Sequence, residues 1–322
     1  MANPIWKDYL VTLGTEDSYN YRIELEDGTI IYSGVAYKRP GLPYVAVRIN
    51  DICADFLHTE LRLESNDIVI SENASIKILI KVLSNGSYVK RAEVELCNDW
   101  SYDADFHSEY VGISAPIRSS VPRHMPLPYS VLSSGELEYG REGEPLYLSS
   151  PQPGRPGTWM INLSSFEDGD TISIKESGVE AFSYYFVKDS CERYALYYVN
   201  AYGGVDMLVI DGNHAERDNL TRQTRSIEYD NRDAESRGTE NYVNVISKSM
   251  TLHTSWMSDD ESSRMHHLLN STNVCLYDSV RRELLPVLLT NTTTEHKTYK
   301  SNGNKLVNYT IEVTFANERI RR

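Results

Sequence analysis

The chain has 322 residues, 40% of them hydrophobic and 24% charged, a length that calls for two or three domains. No apolar run approaches the ~18 residues of a membrane span, and the first fourteen residues lack the basic-then-apolar order of a secretory signal. Thirty-two basic against 46 acidic residues give a net charge of −14, which disfavours a general or sequence-specific nucleic-acid binder because phosphate repels such a surface. Twenty-three tyrosines against six phenylalanines suit half-wet strand faces and protein contacts better than a dry core.

In the first part of the chain, Tyr21, Ile23 and Leu25 alternate with Arg22, Glu24 and Glu26 before Asp27-Gly28 turns the chain into Thr29–Tyr32. Ile76, Ile78, Ile80 and Val82 then alternate with Lys77 and Lys81, and Asn85-Gly86 leads into Val89–Leu96. Period-two alternation around Asp-Gly and Asn-Gly predicts two β-hairpins, because these residues accept the positive φ of a tight turn. Between them Asn50 is expected to cap a short helix, Asp51–Leu57, that buries Ile52, Phe56 and Leu57. Residues 1–115 therefore read as an N-terminal β domain. Eight of the twelve prolines fall between Pro116 and Pro156. Proline lacks the ladder donor, so 116–157 reads as an extended connector with one edge strand at Tyr129–Leu132, packed against neighbours.

Residues 158–322 read as a second β domain. Its strands are expected at Trp159–Leu163, Thr171–Lys175, Ser183–Val187, Arg193–Val199 and Met207–Ile210. The polar stretch Ala215–Gly238 carries five arginines and six acids, and its period-two pattern from Thr221 to Tyr229 predicts the outer half of a projecting hairpin. In the long strand that follows, Ile246, Met250, Leu252 and Trp256 share a face, with Lys248 as its one exception. Ser258-Asp259-Asp260-Glu261 has the form of a capping box opening a helix to about Asn270, which would bury Met265, Leu268 and Leu269. Three strands complete the domain: Val274–Tyr277, Pro286–Leu289 extending to Lys297, and Lys305–Phe315, with Ser301-Asn302-Gly303 as the last turn. The fold class is mainly β and multi-domain: antiparallel sandwich or barrel domains with a few short helices.

No nucleotide-binding glycine loop, HExxH helix or GxSxG elbow is present, so no catalytic residue, cofactor or metal is assigned and a non-enzyme is expected. Cys53, Cys97, Cys191 and Cys275 lie far apart and read as reduced thiols. Adjacent His266 and His267 point about 100° apart on a helix and do not share a face. Asp103, Asp105 and His107, near Trp100, form the best polar cluster for a cation or a sugar. A hairpin with little to bury is marginal alone, so the charged arm is expected to pack on an adjacent subunit through Arg222, Arg225, Arg232 and Arg237, whose forked donors suit carboxylates.

Three stretches of the C-terminal part resemble tail-associated structural proteins of tailed bacteriophages and prophages. These are Tyr194–Asn200 with Gly203-Gly204; Trp256 before the capped helix, with Leu268–Ser271 leading into Val274–Tyr277; and Pro286–Leu289 followed by the lysine-bearing hairpin and Asn308–Val313. The stretch Ile49–Asp55 looks like the same kind of protein. The resemblance, to distal-tail or tail-tube proteins, implies a β-sandwich flanked by one helix, with a hairpin reaching the next subunit of a ring. It further implies a place in the virion tail, baseplate or neck after synthesis in the host cytoplasm, with copies of itself and other tail or neck proteins as partners. The alternative is a receptor- or carbohydrate-binding β protein, with Trp100, Tyr102 and Tyr110 as the aromatic platform.

Overall fold

The computed structural model describes residues 3–4, 10–59, 61, 68–70, 74–98, 118–131, 136–141, 144–149, 157–176, 181–189, 191–226, 239–257, 259–290, 297–301, 304–316 and 319–321. By contacts the chain forms two compact units. Unit 1 comprises Met1–Ser190, Tyr198–Met207 and Asn270–Asn273; unit 2 comprises Cys191–Tyr197, Leu208–Leu269 and Val274–Arg322. Strands dominate both, as expected, and among the described residues no helix is long and apolar enough to cross a membrane.

Unit 1 begins with β1 (Asn3–Pro4), β2 (Leu10–Gly14), β3 (Ser18–Leu25), β4 (Ile30–Tyr37) and β5 (Val45–Arg48). Helix α1 (Asn50–Cys53), a 3-10 turn at Ala54–Phe56, β6 (Ile68–Ile70), β7 (Ser75–Ser84) and β8 (Ser87–Cys97) follow. Both expected hairpins form. Gly28 adopts φ +88°, while Asn85 and Gly86 adopt φ 51° and 78°, the two positive values of a tight hairpin turn. The resulting sheet has the order β1-β8-β7-β3-β4, with β1 parallel to β8, and β2 pairs with β5. Ile76, Ile78, Ile80 and Val82 are buried with Ile23, Leu13, Val45, Val47 and Ile49. On the opposite face Lys81 and Arg22 both pair with buried Glu24, and Lys77 reaches Glu93 at 2.6 Å.

Helix α1 differs from expectation. Asn50 is its first residue, Ile49 holds the cap position without a side-chain bond, and Asn50 and Cys53 are the buried positions. Ile52 is half-buried, Phe56 is exposed, and only Leu57 of the expected trio is in the core. Because the helix tightens into a 3-10 turn after one turn, the face expected from a 3.6-residue period does not persist.

The proline-rich segment also departs from the reading as a connector. It contains β9 (Arg118–Pro122), β10 (Leu127–Val131), β11 (Glu136–Arg141), β12 (Glu144–Ser149) and the start of β13 (Gly157–Ile161), and unit 1 runs on through β14 (Thr171–Glu176) and β15 (Ala181–Lys188). These strands build sheets of order β10-β13-β6 and β12-β11-β14-β15-β9, with β15 and β9 parallel. Pro122, Pro128 and Pro145 all sit on strands at a sheet edge, where one side of the ladder needs no donor. That placement lets every position of β10 be buried, Tyr129 and Val131 completely.

The remaining strands are β16 (Tyr194–Val199), β17 (Val205–Ile210), β18 (His214–Ser226) and β19 (Thr239–His253), then helix α2 (Asp259–Asn270), β20 (Val274–Asp278), β21 (Glu283–Leu289), β22 (Lys297–Ser301), β23 (Asn304–Asn308), β24 (Thr310–Phe315) and β25 (Arg319–Arg321). Helix α2 has the expected bounds and buries Met265 and Leu268, while Leu269 is only half-buried. Ser258, the expected cap, lies outside the described residues. The strand expected at Lys305–Phe315 breaks at Tyr309, whose backbone exchanges bonds with Thr254 instead. Likewise β19 stops at His253, which leaves Trp256 half-exposed rather than on the apolar face.

One sheet joins these strands in the order β17-β16-β20-β21-β24-β19-β18, with β25 added beside β19. Its two edge strands are consecutive in sequence, joined only by Asp211–Asn213. Laid flat, six steps of ~4.8 Å would part them by about 29 Å, whereas four Cα–Cα steps span about 15 Å at most. The sheet must therefore curl until its edges approach, as in a barrel. Side chains confirm the curl: Tyr194 of β16 hydrogen-bonds Glu216 of β18 at 3.0 Å and packs edge-on against His214 at 4.9 Å.

Candidate functional site

The concave side of this curled sheet encloses a cleft of ≈ 500 Å³ within unit 2. Strand pairing explains its lining. Met250 of β19 stands opposite Glu216 of β18 and Val313 of β24, and Lys248 stands opposite Asp218. Leu276 of β20 pairs with Leu285 of β21, and Asp278 follows two residues on. Met250 and Leu276 are buried, while Ile246, Leu285 and Phe315 are half-buried and complete an apolar floor. Charges rim it: Arg193 just before β16, Asp278 at the end of β20 and Arg281 in the β20–β21 turn; Glu216, Asp218 and Lys248 from the β18–β19 hairpin.

The first wall is tightly organised. Arg193 donates from Nε to Asp278 Oδ1 at 3.2 Å and from Nη2 to Oδ2 at 2.8 Å, and its guanidinium lies 4.9 Å over the Tyr194 ring. Asp278 Oδ1 also accepts the backbone N–H groups of Val280 (3.0 Å) and Arg281 (3.3 Å), which closes the turn to β21. Burial alone would raise the Asp278 pKa. The bonds from Arg193, Val280 and Arg281 outweigh it and hold the carboxyl below its usual range. The Tyr194 phenol is pushed up to about 12 by burial and by its bond to the Glu216 carboxylate, so it remains a donor. Two rim cations are held more loosely. Arg281 Nε lies 3.8 Å from Asp278 and Lys248 Nζ 3.9 Å from Asp218, both with side chains about half exposed or more. These can turn toward a ligand at little cost.

The hairpin leaves the sheet beside this cleft. All thirteen residues of β18 are exposed, and β18 is an edge strand. Beyond the pairing of Asn244 with Arg321, no third strand supports the hairpin among the described residues. Of the four arginines expected to contact a neighbour, Arg222 is exposed on β18. Arg225 is engaged within its own hairpin, donating to Glu240 from Nε at 2.6 Å. Arg232 and Arg237 lie outside the described residues, as do Trp100, Tyr102, Asp103, Asp105, His107 and Tyr110. Leu220 and Tyr242 are exposed apolar side chains along the arm, and the Tyr242 hydroxyl donates to Gln223 at 2.9 Å.

No protein-family model and no curated protein matches the sequence. A crystal structure of a mutant Salmonella alpha-2-macroglobulin aligns over 98% of this chain and 34% of its own, at 9% identity and a TM-score of 0.17. The chain thus spans about a third of that protein's length, and a likeness at this level carries no argument.

Elsewhere, Cys53, Cys97 and Cys275 are buried and Cys191 exposed, all unbridged; burial raises the Cys53 thiol to about 12 and Cys275 to about 11, far from a reactive thiolate. His266 is exposed and His267 half-buried on α2. Among the described residues no three His, Cys, Asp or Glu side chains gather as a metal site would need. Sequence reasoning missed the cleft. Arg193 immediately precedes a buried strand and Asp278 ends another, but only strand order shows that the two are neighbours. The signal that was present was Lys248, a charge in an otherwise apolar series.

Proposed function

We propose that the protein is a structural component of a bacteriophage virion, a connector of the tail, baseplate or neck that assembles as a ring of identical subunits. The observation that carries this reading is the β18–β19 hairpin. A thirteen-residue edge strand exposed along its whole length offers backbone donors and acceptors on its open side, and Arg217, Arg222, Asp218 and Glu216 alternate along it. An edge strand of this kind in a monomer is an unused pairing template; charge keeps it from pairing indiscriminately, and a specific neighbour can use it. Cyclic assembly follows when the contact is heterologous and its rotation closes. The resemblance of Tyr194–Asn200, Leu268–Ser271 and Asn308–Val313 to phage tail proteins adds the location, and other tail or neck proteins would be its further partners.

Light scattering coupled to size-exclusion chromatography, with electron microscopy of the same fractions, tests the reading. The expected result is a concentration-dependent cyclic oligomer that is lost when Asp230–Ser236 is deleted while the monomer stays folded. A strictly monomeric protein at high concentration, or a deletion that assembles as well as the parent, refutes it.

A further inference from the structure

We propose that the cleft on the concave side of the curled sheet is the seat for a segment of a second copy of this chain, Ile227-Glu228-Tyr229-Asp230, which follows β18 in sequence. This rests on the ring reading and specifies its contact. The cleft supplies what such a segment lacks. Its floor is apolar, built by Met250, Leu276, Ile246, Leu285 and Phe315, and its ≈ 500 Å³ lies in the range of pockets that enclose small ligands. The segment alternates apolar and acidic residues with period two, so bound in an extended conformation it would turn Ile227 and Tyr229 to one side and Glu228 and Asp230 to the other.

The charges complement one another in the same way. Arg193 is held by its forked bond to Asp278 and serves as a fixed wall. Lys248 and Arg281 are the rim cations with long, loose ion pairs and side chains about half exposed or more, able to follow carboxylates that lie above the floor. Glu216 and Asp218 stand exposed on the same hairpin rim as Lys248 and can accept a bond from a phenol such as Tyr229. The cleft and the 227–230 segment are different parts of one chain, so a contact between one copy's segment and another copy's cleft is heterologous. That is the head-to-tail arrangement from which rings are made.

A labelled synthetic peptide of residues 224–231 tests the seat directly by fluorescence anisotropy with the full chain, independently of whether the chain forms a ring. Saturable binding is expected, weakened at least tenfold by Lys248→Glu with Arg281→Glu and restored when Glu228 and Asp230 of the peptide become lysines. A peptide with Ile227 and Tyr229 replaced by serine should not bind. If the parent peptide does not bind, or binds equally well without its apolar pair, or if charge reversal in the cleft leaves affinity unchanged, the seat is wrong. A ring that forms equally well with the reversed cleft overturns the seat while leaving the ring reading intact. Peptide binding with charge-swap rescue by a chain that stays monomeric upholds the seat and counts against the ring.

Discussion

Replacing Asp278 probes the wall of the cleft and separates two contributions by choice of side chain. Asp278→Ala removes both acceptors of the fork from Arg193 and the caps on the Val280 and Arg281 amides. A hydrogen bond to a charged group contributes about 1.5–3 kcal/mol, and a buried pair broken from one side costs about 3–5 kcal/mol. The Arg193 side chain is 38% exposed and regains water when its partner goes, so the pair falls below that range. A net loss of about 2–4 kcal/mol is expected for alanine. Asp278→Asn keeps an oxygen for the two amides and for Arg193 Nε but loses the charge and the acceptor facing Nη2, so it should cost less than alanine, about 1–2 kcal/mol. The presence of two compact units argues against a single global unfolding free energy, so the assay is native-state hydrogen exchange at the β16 and β20 amides. The pH dependence has a definite sign. Because the folded state holds the Asp278 carboxyl below its usual pKa, its stabilisation is complete above the unfolded value near 4 and is lost as pH falls through the folded value. The asparagine variant should lose that dependence. A loss below about 0.5 kcal/mol for Ala would show that the fork does not stabilise the wall, and equal losses for Ala and Asn would show that the caps on the two amides add nothing.

Gly203 has φ +87°, and a Cβ there would lie 2.3 Å from the Asn98 carbonyl oxygen while the Gly203 carbonyl accepts from Thr59 at 2.6 Å. Gly203→Ala should therefore cost at least about 2 kcal/mol in unit 1, seen as faster exchange around Asn98, with an unchanged exchange pattern as the contrary result. Leu268→Ala, at a fully buried position, should cost about 2–5 kcal/mol, and Leu269→Ala clearly less; the reverse order in hydrogen exchange at the α2 amides would refute the orientation of α2. Glu93 is held at about 2 by hydrogen bonds from Lys77 and Lys90, so carboxyl-carbon NMR should show it titrating toward the ordinary ~4.3 in the Lys77→Gln, Lys90→Gln variant.

Local signals carried most of the β architecture into view. The turns at Asp27-Gly28 and Asn85-Gly86, the alternation of Ile76–Val82 and the apolar spacing in α2 each depend on neighbours in sequence, and each element formed. What was misread depends on distant partners. The prolines of 116–157 suggested a connector with one edge strand, which formed as β10; the further strands β9, β11 and β12 were missed because sequence does not reveal how many strands will be edges, and Pro122, Pro128 and Pro145 all fell on edges. Trp256 looked like the end of an apolar face because the chain's exchange of bonds between Thr254 and Tyr309, fifty-odd residues apart, has no local mark. In the cleft, Lys248 was visible as an exception but its meaning was not, since Asp218, Arg281 and the apolar floor come from strands placed beside it only by the curl.

The strand order also sets a timetable for synthesis. β24 lies between β21 and β19, yet the ribosome makes both neighbours before it, with residues 290–309 still to come after β21 is complete. At about 5–20 residues per second, the nascent chain spends on the order of a second or more with those two strands lacking the partner that joins them. The hairpins β18–β19 and β20–β21 can each close early from local contacts, but the curl that shapes the cleft waits for the strand that bridges them. If the chain assembles as proposed, a chain halted before Thr310 carries the arm without the seat, and such a stalled product docks onto a growing ring but offers nothing for the next copy to dock against.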